Sequence, residues 1–284
     1  MSKAILVVGA TGNTGRSLVK QLVKRGEEVL AATRQPESYP AQLHVTPVYF
    51  DYACPETYAA ALAGVDRVFA LVDPADTGDP VYEPFLARAQ AAGVAHMVIT
   101  TTMPLLRSDG QLHTWKEAET PLLDSGIPYT ILRPCWFMQM FTDEYNLPSI
   151  QQKRTISIPI GDAQISFIDT QDIAAVAAVT LTEPGHTNKI YTLTGGEAIG
   201  LTEIAAAISE ASGYTVTYQP LSMEEWAEKM QVRLGSSIFR VYSYLYKTAL
   251  QGGFARAEPT VQNLTGVPPT TFAEFAHKQG TTWQ

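Results

Sequence analysis

The sequence predicts an α/β fold, a doubly wound parallel sheet with a small C-terminal cap, and three observations carry that expectation. The apolar run Ala4-Ile5-Leu6-Val7-Val8 breaks directly into Gly9-Ala10-Thr11-Gly12-Asn13-Thr14-Gly15, as a buried parallel strand breaks into a tight turn. Leu18, Val19, Leu22 and Val23 then recur at helical spacing, and Gly26 comes next where a C-cap belongs. Further on, strand-like runs alternate with helical patterns at intervals suited to βαβ units.

The second strand lies in Glu28-Val29-Leu30-Ala31-Ala32-Thr33-Arg34 and the third at 47–50. A helix from about Pro55 to Ala63 closes at Gly64, and the strand Val68-Phe69-Ala70-Leu71-Val72 succeeds it. Next come a helix from about Tyr82 to Ala92 closed by Gly93, the strand His96–Thr100, a helix from about Thr114 to Asp124, and the strand Pro128–Leu132. Prolines 55, 80 and 84 sit near helix starts, where a missing N–H does little harm. Right-handed crossovers wind such units into a Rossmann sheet whose ligand lies at the carboxyl ends of the strands. From Arg133-Pro134 onward the regularity loosens into a long excursion at 133–165, helices at 172–182, 202–211, 222–234 and 236–250, and a strand at 189–194. The expected division is a dinucleotide-binding domain at 1–133 plus 155–195, with a substrate-binding cap over its cleft at 134–154 and 196–284.

Composition narrows the function. Of 284 residues 45% are hydrophobic and no tract is of low complexity, so a folded chain is expected throughout. The apolar runs are far below membrane-spanning length, and the first strand begins at once, leaving no room for a signal peptide; a cytoplasmic protein with no membrane partner is expected. The two cysteines, Cys54 and Cys135, make no disulfide framework. A net charge of −8 with dispersed Lys and Arg argues against nucleic acid. The five histidines show no metal-ligand spacing, and no Gly-x-Ser-x-Gly elbow is present.

The glycine turn points to a nicotinamide dinucleotide. Gly9 permits the turn, Gly12 lets backbone approach a pyrophosphate, and Gly15 lets the helix pack close on the strand. Thr11, Asn13 and Thr14 complete a loop whose helix-start amides face phosphate. At the end of the second strand Thr33 and Arg34 stand where an NAD enzyme carries an acid, so the cofactor is expected to be NADPH, with Arg34 on its 2′-phosphate. A solvated arginine after a strand is the alternative. Asp51 and Tyr52 suit an adenine edge and face, or Asp51 is a loop residue capping the adjoining segment. Leu71, Val72, Thr100 and Thr101 end the next two strands and complete the candidate cofactor set.

Together these motifs resemble the NmrA-like group of atypical short-chain dehydrogenases/reductases from end to end. The resemblance rests on the spaced glycines, Thr33-Arg34, Ala63-Gly64-Val65-Asp66, Ala92-Gly93-Val94, and Ser125-Gly126-Ile127-Pro128-Tyr129-Thr130-Ile131-Leu132-Arg133-Pro134. It extends through Phe167-Ile168-Asp169-Thr170-Gln171-Asp172-Ile173-Ala174 and Leu264-Thr265-Gly266-Val267-Pro268-Pro269-Thr270-Thr271-Phe272. Phe50-Asp51-Tyr52, Trp136-Phe137-Met138-Gln139 and Tyr191-Thr192-Leu193-Thr194-Gly195 look closest to bacterial relatives of the ergot-alkaloid agroclavine and festuclavine dehydrogenases. The resemblance implies NADPH-dependent reduction of quinones, azo compounds or iminium ions, or a catalytically silent redox sensor acting through a protein partner.

Ordinary short-chain dehydrogenases carry a Tyr-x-x-x-Lys pair, and none of the thirteen tyrosines here has a lysine four residues on. Lys116 lies on the matching helix, but Leu112 occupies the tyrosine position, and Thr100-Thr101-Thr102 stands where serine is usual. Lys116 can steady a ribose hydroxyl or be a solvated helix lysine; His113 can donate a proton near neutral pH or simply begin the helix. Without a positioned acid a ketone is a poor acceptor, since its alkoxide needs protonation. A quinone or iminium leaves a stabilised phenolate or a neutral amine, so a small conjugated electrophile is the expected partner, with a homodimer compatible with the chain. Trp136 and Phe137 come just after the last core strand and are the expected substrate contacts. The stripes Met223-Trp226-Met230 and Val241-Tyr242-Leu245-Tyr246 read either as pocket wall or, more ordinarily, as core.

Overall fold

The computed structural model describes residues 3–71, 82–103, 105–106, 112–113, 116–143 and 145–284, and leaves undescribed the side chains at 105, 106, 112, 113, 116–118, 236 and 237. In chain order the first half comprises β1 (Ala4–Val8), α1 (Asn13–Lys24), β2 (Val29–Thr33), β3 (Val45–Tyr49), α2 (Tyr58–Ala61), β4 (Val65–Leu71), α3 (Glu83–Ala91), β5 (His96–Thr100), β6 (Leu105–Leu106), β7 (Leu112–His113), α4 (Lys116–Asp124) and β8 (Tyr129–Pro134). The second half comprises α5 (Leu147–Lys153), β9 (Thr155–Ile156), α6 (Thr170–Thr182), β10 (Lys189–Leu193), α7 (Leu201–Ser212), β11 (Thr217–Tyr218), α8 (Met223–Leu234), α9 (Ser236–Leu250), α10 (Thr260–Thr265) and α11 (Phe272–Lys278).

The main sheet runs β10-β8-β5-β4-β1-β2-β3, with β1–β2, β1–β4, β2–β3, β4–β5 and β5–β8 all parallel. Strand order therefore reverses between β1 and β4, the switch point at whose carboxyl end such sheets open a ligand crevice. Buried on both faces, β1 reads as an unbroken apolar run and β5 as an apolar centre between His96 and Thr100, which is why their limits were legible in the sequence.

Two compact units form. One contains 1–102, 115–133 and 170–192; the other contains 103–114, 134–169 and 193–284. The first packs Leu6, Phe50, Tyr58, Val68, Phe85 and Ile99 into its core, and α1 lies against α6. The second has its own core around Trp136, Phe141, Phe167, Phe254, Phe275 and Trp283. Segment 155–169, which the sequence groups with the dinucleotide domain, clusters with the second unit because Ile156, Ile158, Ile160, Ile165 and Phe167 are buried in that second core. The antiparallel β6–β7 pair and the β9–β11 pair were not foreseen; two-residue strands carry no periodicity to read.

His96 illustrates how the first sheet is pinned. Its Nε2 lies 2.9 Å from Thr130 Oγ1, and that hydroxyl donates to the His186 carbonyl at 2.7 Å, so His96 must be the donor of the pair. Burial, first among the causes, pushes the imidazole pKa below its usual 6.5. Neutral His96 thus supports the fold above the unfolded-state value, and that support is lost as pH falls through the window beneath it. NMR titration of the ring is expected to show a midpoint below 6.5, and a midpoint at or above that value would refute the assignment.

Candidate active site

β1 ends at Val8, and Gly9 turns the chain with φ +74°, in the left-handed region that favours glycine. A Cβ there would also lie 2.6 Å from Leu71 Cδ1, at the end of β4. The Gly12 amide donates back to the Gly9 carbonyl at 3.0 Å, and Gly12 is the N-cap of α1. A Cβ on Gly15 would fall 2.1 Å from that same carbonyl oxygen. Helix α1 therefore starts against the turn itself, which only glycine at 15 permits. The amides of Asn13, Thr14 and Gly15 are first-turn donors with no intrahelical acceptor, and Gly12 has no side chain to satisfy them. With the helix dipole they form a cradle that fits phosphate. Arg16, which sequence reasoning missed, donates Nη2 to the Thr11 carbonyl at 2.7 Å and holds the loop in shape.

The remaining cofactor candidates divide. Thr33 is buried at the end of β2 and its hydroxyl accepts from the Gln35 amide at 3.1 Å. Arg34 is exposed and has no ion pair among the described residues. Asp51 Oδ1 accepts from the Ala53 amide at 2.9 Å, the local turn-capping role that the sequence left open. Tyr52 packs edge-on to Phe50 and Phe85, at 5.0 and 5.8 Å between ring centroids, and its hydroxyl donates to the Leu71 carbonyl at 3.4 Å. Burial pushes its phenol far above the usual range. Val72 lies outside the described residues.

At the end of β5, Thr100 is buried and its Oγ1 has no hydrogen-bond partner among the described residues. A buried hydroxyl without an internal partner, at the carboxyl edge of a parallel strand, suits contact with a ligand. Thr101 instead donates to Glu119 Oε1 at 2.8 Å. Glu119 also receives Arg133 in a two-pronged pair, Nε to Oε1 at 2.8 Å and Nη2 to Oε2 at 2.5 Å, with side chains only 2% and 17% exposed. This network ties the ends of β5 and β8 to α4. No sequence pattern pointed to it, because partners 14 and 18 residues apart meet only through the fold. His113 lies in β7 and Lys116 opens α4, but their side chains are outside the described residues.

In the second unit Trp136 is 7% exposed and packs against Tyr246, Phe254 and Phe167, with ring centroids 5.5, 5.4 and 6.1 Å away. It is core in this unit, although its Nε1 has no partner among the described residues. Phe137 is 39% exposed. Burial raises the neighbouring Cys135 thiol to about 12, so it is no nucleophile near neutrality. The stripes on α8 and α9 prove to be core and cavity wall together. Trp226 stacks on Phe239 at 4.9 Å and meets Tyr246 edge-on at 5.0 Å, while Trp226, Met230, Tyr242 and Tyr246 line a cavity of about 410 Å³. Burial raises the Tyr242 phenol to about 12, with Asp143 and Tyr145 adding to the shift, and raises Tyr246 well above 10. Both phenols remain proton-bearing donors through neutral pH. Among the described residues no cluster has the make-up of a metal site, and no helix is long and apolar enough to cross a membrane.

Comparison with known proteins agrees with this geometry. Residues 9–184 match the family model described as NAD(P)H-binding. The chain is 33% identical over 278 residues to the NAD(P)H azoreductase of Xenophilus azovorans, covering 96% of each chain. It is also similar to the Escherichia coli NADPH-dependent quinone oxidoreductase solved with NADPH, at TM-score 0.81 and 30% identity over 96% of this chain and 99% of that one. A more distant match is agroclavine dehydrogenase of Claviceps fusiformis, 26% identical over 98% of each chain. The chain belongs to the NAD(P)H-binding family, the NmrA-like, atypical short-chain dehydrogenase/reductase group that its motifs resembled.

Glu119→Ala leaves the Arg133 guanidinium enclosed without its carboxylate and should cost about 3 kcal/mol of unfolding free energy. Urea unfolding of the two proteins checks this, and a loss under about 1 kcal/mol would show the pair to be incidental.

Proposed function

We propose that this protein is an NADPH-dependent reductase that delivers hydride to a small conjugated electrophile: a quinone, an iminium ion or an azo compound. The observation that carries the reading is the glycine cradle of α1 together with Arg34, in place of an acid, at the end of β2. Gly9, Gly12 and Gly15 with the amides of 13–15 would hold the pyrophosphate, Thr33 and Arg34 the 2′-phosphate, and Leu71 and Thr100 the strand ends beyond. NADPH, when bound, supplies the hydride. The protein contributes positioning and exclusion of water. The three relatives described above are named for azo compounds, quinones and agroclavine, which supports an acceptor of this kind. A cytoplasmic location and a homodimeric state belong to the same proposal.

Two measurements test it. Titration with NADPH and NADH should show preference for NADPH, and Arg34→Ala should weaken NADPH binding about tenfold, roughly 1.5 kcal/mol, while NADH is little changed. Equal affinities, unmoved by the substitution, would remove Arg34 from the site. Incubation with NADPH and a panel of quinones, imines and azo dyes should oxidise the cofactor; His113→Ala and Lys116→Ala should stay within about tenfold of the wild-type rate, since a true general acid contributes about 10²–10⁴-fold. A thousandfold loss in kcat with folding and NADPH binding intact would make that residue the acid. Binding of both cofactor redox states without turnover on any acceptor would favour a sensor.

A further inference from the structure

We infer that the second unit's cavity is a binding site for a flat conjugated anion, an aromatic ring system bearing a carboxylate or sulfonate. As the substrate class of the reductase, this rests on the function proposed above; as a binding site, it stands on the cavity alone. At about 410 Å³ the cavity falls within the range of small-ligand sites. Its inner wall is aromatic, with Trp226 and Tyr246 buried and Tyr242 half-buried beside them. Its rim is cationic: Lys153 from the last turn of α5, and Lys229 and Arg233 from α8, all exposed.

The charge balance is what makes this rim informative. The chain carries 28 acidic and 20 basic residues, yet among the described residues no Asp or Glu lines the cavity. Lys153 and Lys229 form no ion pair among the described residues. Asp143, the carboxylate that bears on Tyr242, accepts from the Tyr145 and Asn146 amides at 2.9 and 2.8 Å. Glu225 on α8 is engaged in its cap, accepting from the Ser222 amide at 2.8 Å. Lys229 and Arg233 stand four residues apart on one helix face, a like-charge spacing that costs helix stability. The Arg233 guanidinium lies 5.9 Å from the Tyr145 ring centroid, so one cation already faces an aromatic surface. Protonated phenols add donors that an anion's oxygens accept.

The test uses the full chain and one matched pair of probes, anthraquinone-2-sulfonate and neutral 2-(hydroxymethyl)anthraquinone, with binding read by quenching of tryptophan fluorescence in the absence of cofactor. The sulfonate should bind about tenfold tighter at low ionic strength, and the preference should shrink in salt. Lys153→Gln with Lys229→Gln should abolish the preference while leaving the neutral quinone's affinity unchanged. Equal affinities in wild type, or a preference that survives the double variant, would overturn the proposal. Preferential binding without NADPH oxidation would uphold the anion site and overturn the reductase reading, so the two fail separately.

Discussion

A single backbone approach organises the first unit. The Gly9 carbonyl accepts the Gly12 amide and lies so close to Gly15 that any side chain there would overlap it. Helix α1 is thereby brought down onto the end of β1, with its first-turn amides at the carboxyl end of the strand. The same turn presses Gly9 against Leu71, bringing the carboxyl ends of β1 and β4 together at the place where the strand order reverses. The phosphate site proposed here is thus a property of packed backbone, and side chains would refine it.

The buried Glu119–Arg133 pair plays a comparable part at the other side of that edge. Two charges withdrawn from water would be costly alone, but the two-pronged geometry and the Thr101 hydroxyl satisfy both oxygens of the carboxylate. The Thr101 hydroxyl proton is thereby engaged, while its neighbour Thr100 has no hydrogen-bond partner among the described residues. Adjacent threonines of identical chemistry acquire different roles from the alternation of a strand end.

How much of this was legible depended on the range of the interaction. Glycine requirements, apolar runs and helix ends are local, so β1, β5 and α9 were placed within a residue or so of their observed limits. Arg34 could be read because its position relative to β2 is set by the chain itself. The Glu119 network and the cationic rim escaped notice, since they join residues from separate elements. Asp51 and Tyr52 show how local contacts also use residues of this kind. Their residue types suit a ligand, and a turn amide and an aromatic cluster also engage them locally. For α8 and α9 the choice between core and pocket was a false one, because a helix stripe wide enough to fill a core also forms the wall of a cavity within it.

The wall that carries Lys153 is held from far along the chain. Gln151 Nε2 donates to the Thr282 carbonyl at 2.8 Å, Arg154 Nη1 to the Trp283 carbonyl at 2.7 Å, and the Trp283 indole to the Phe141 carbonyl at 2.8 Å, across separations of 131, 129 and 142 residues. Closing loops of that length costs entropy before any contact repays it. During synthesis α5 therefore emerges long before its clasp does, and these bonds to its end can form only once residues 282 and 283 have appeared. A nascent chain stalled short of residue 282 would lack the two carbonyls that hold the end of α5.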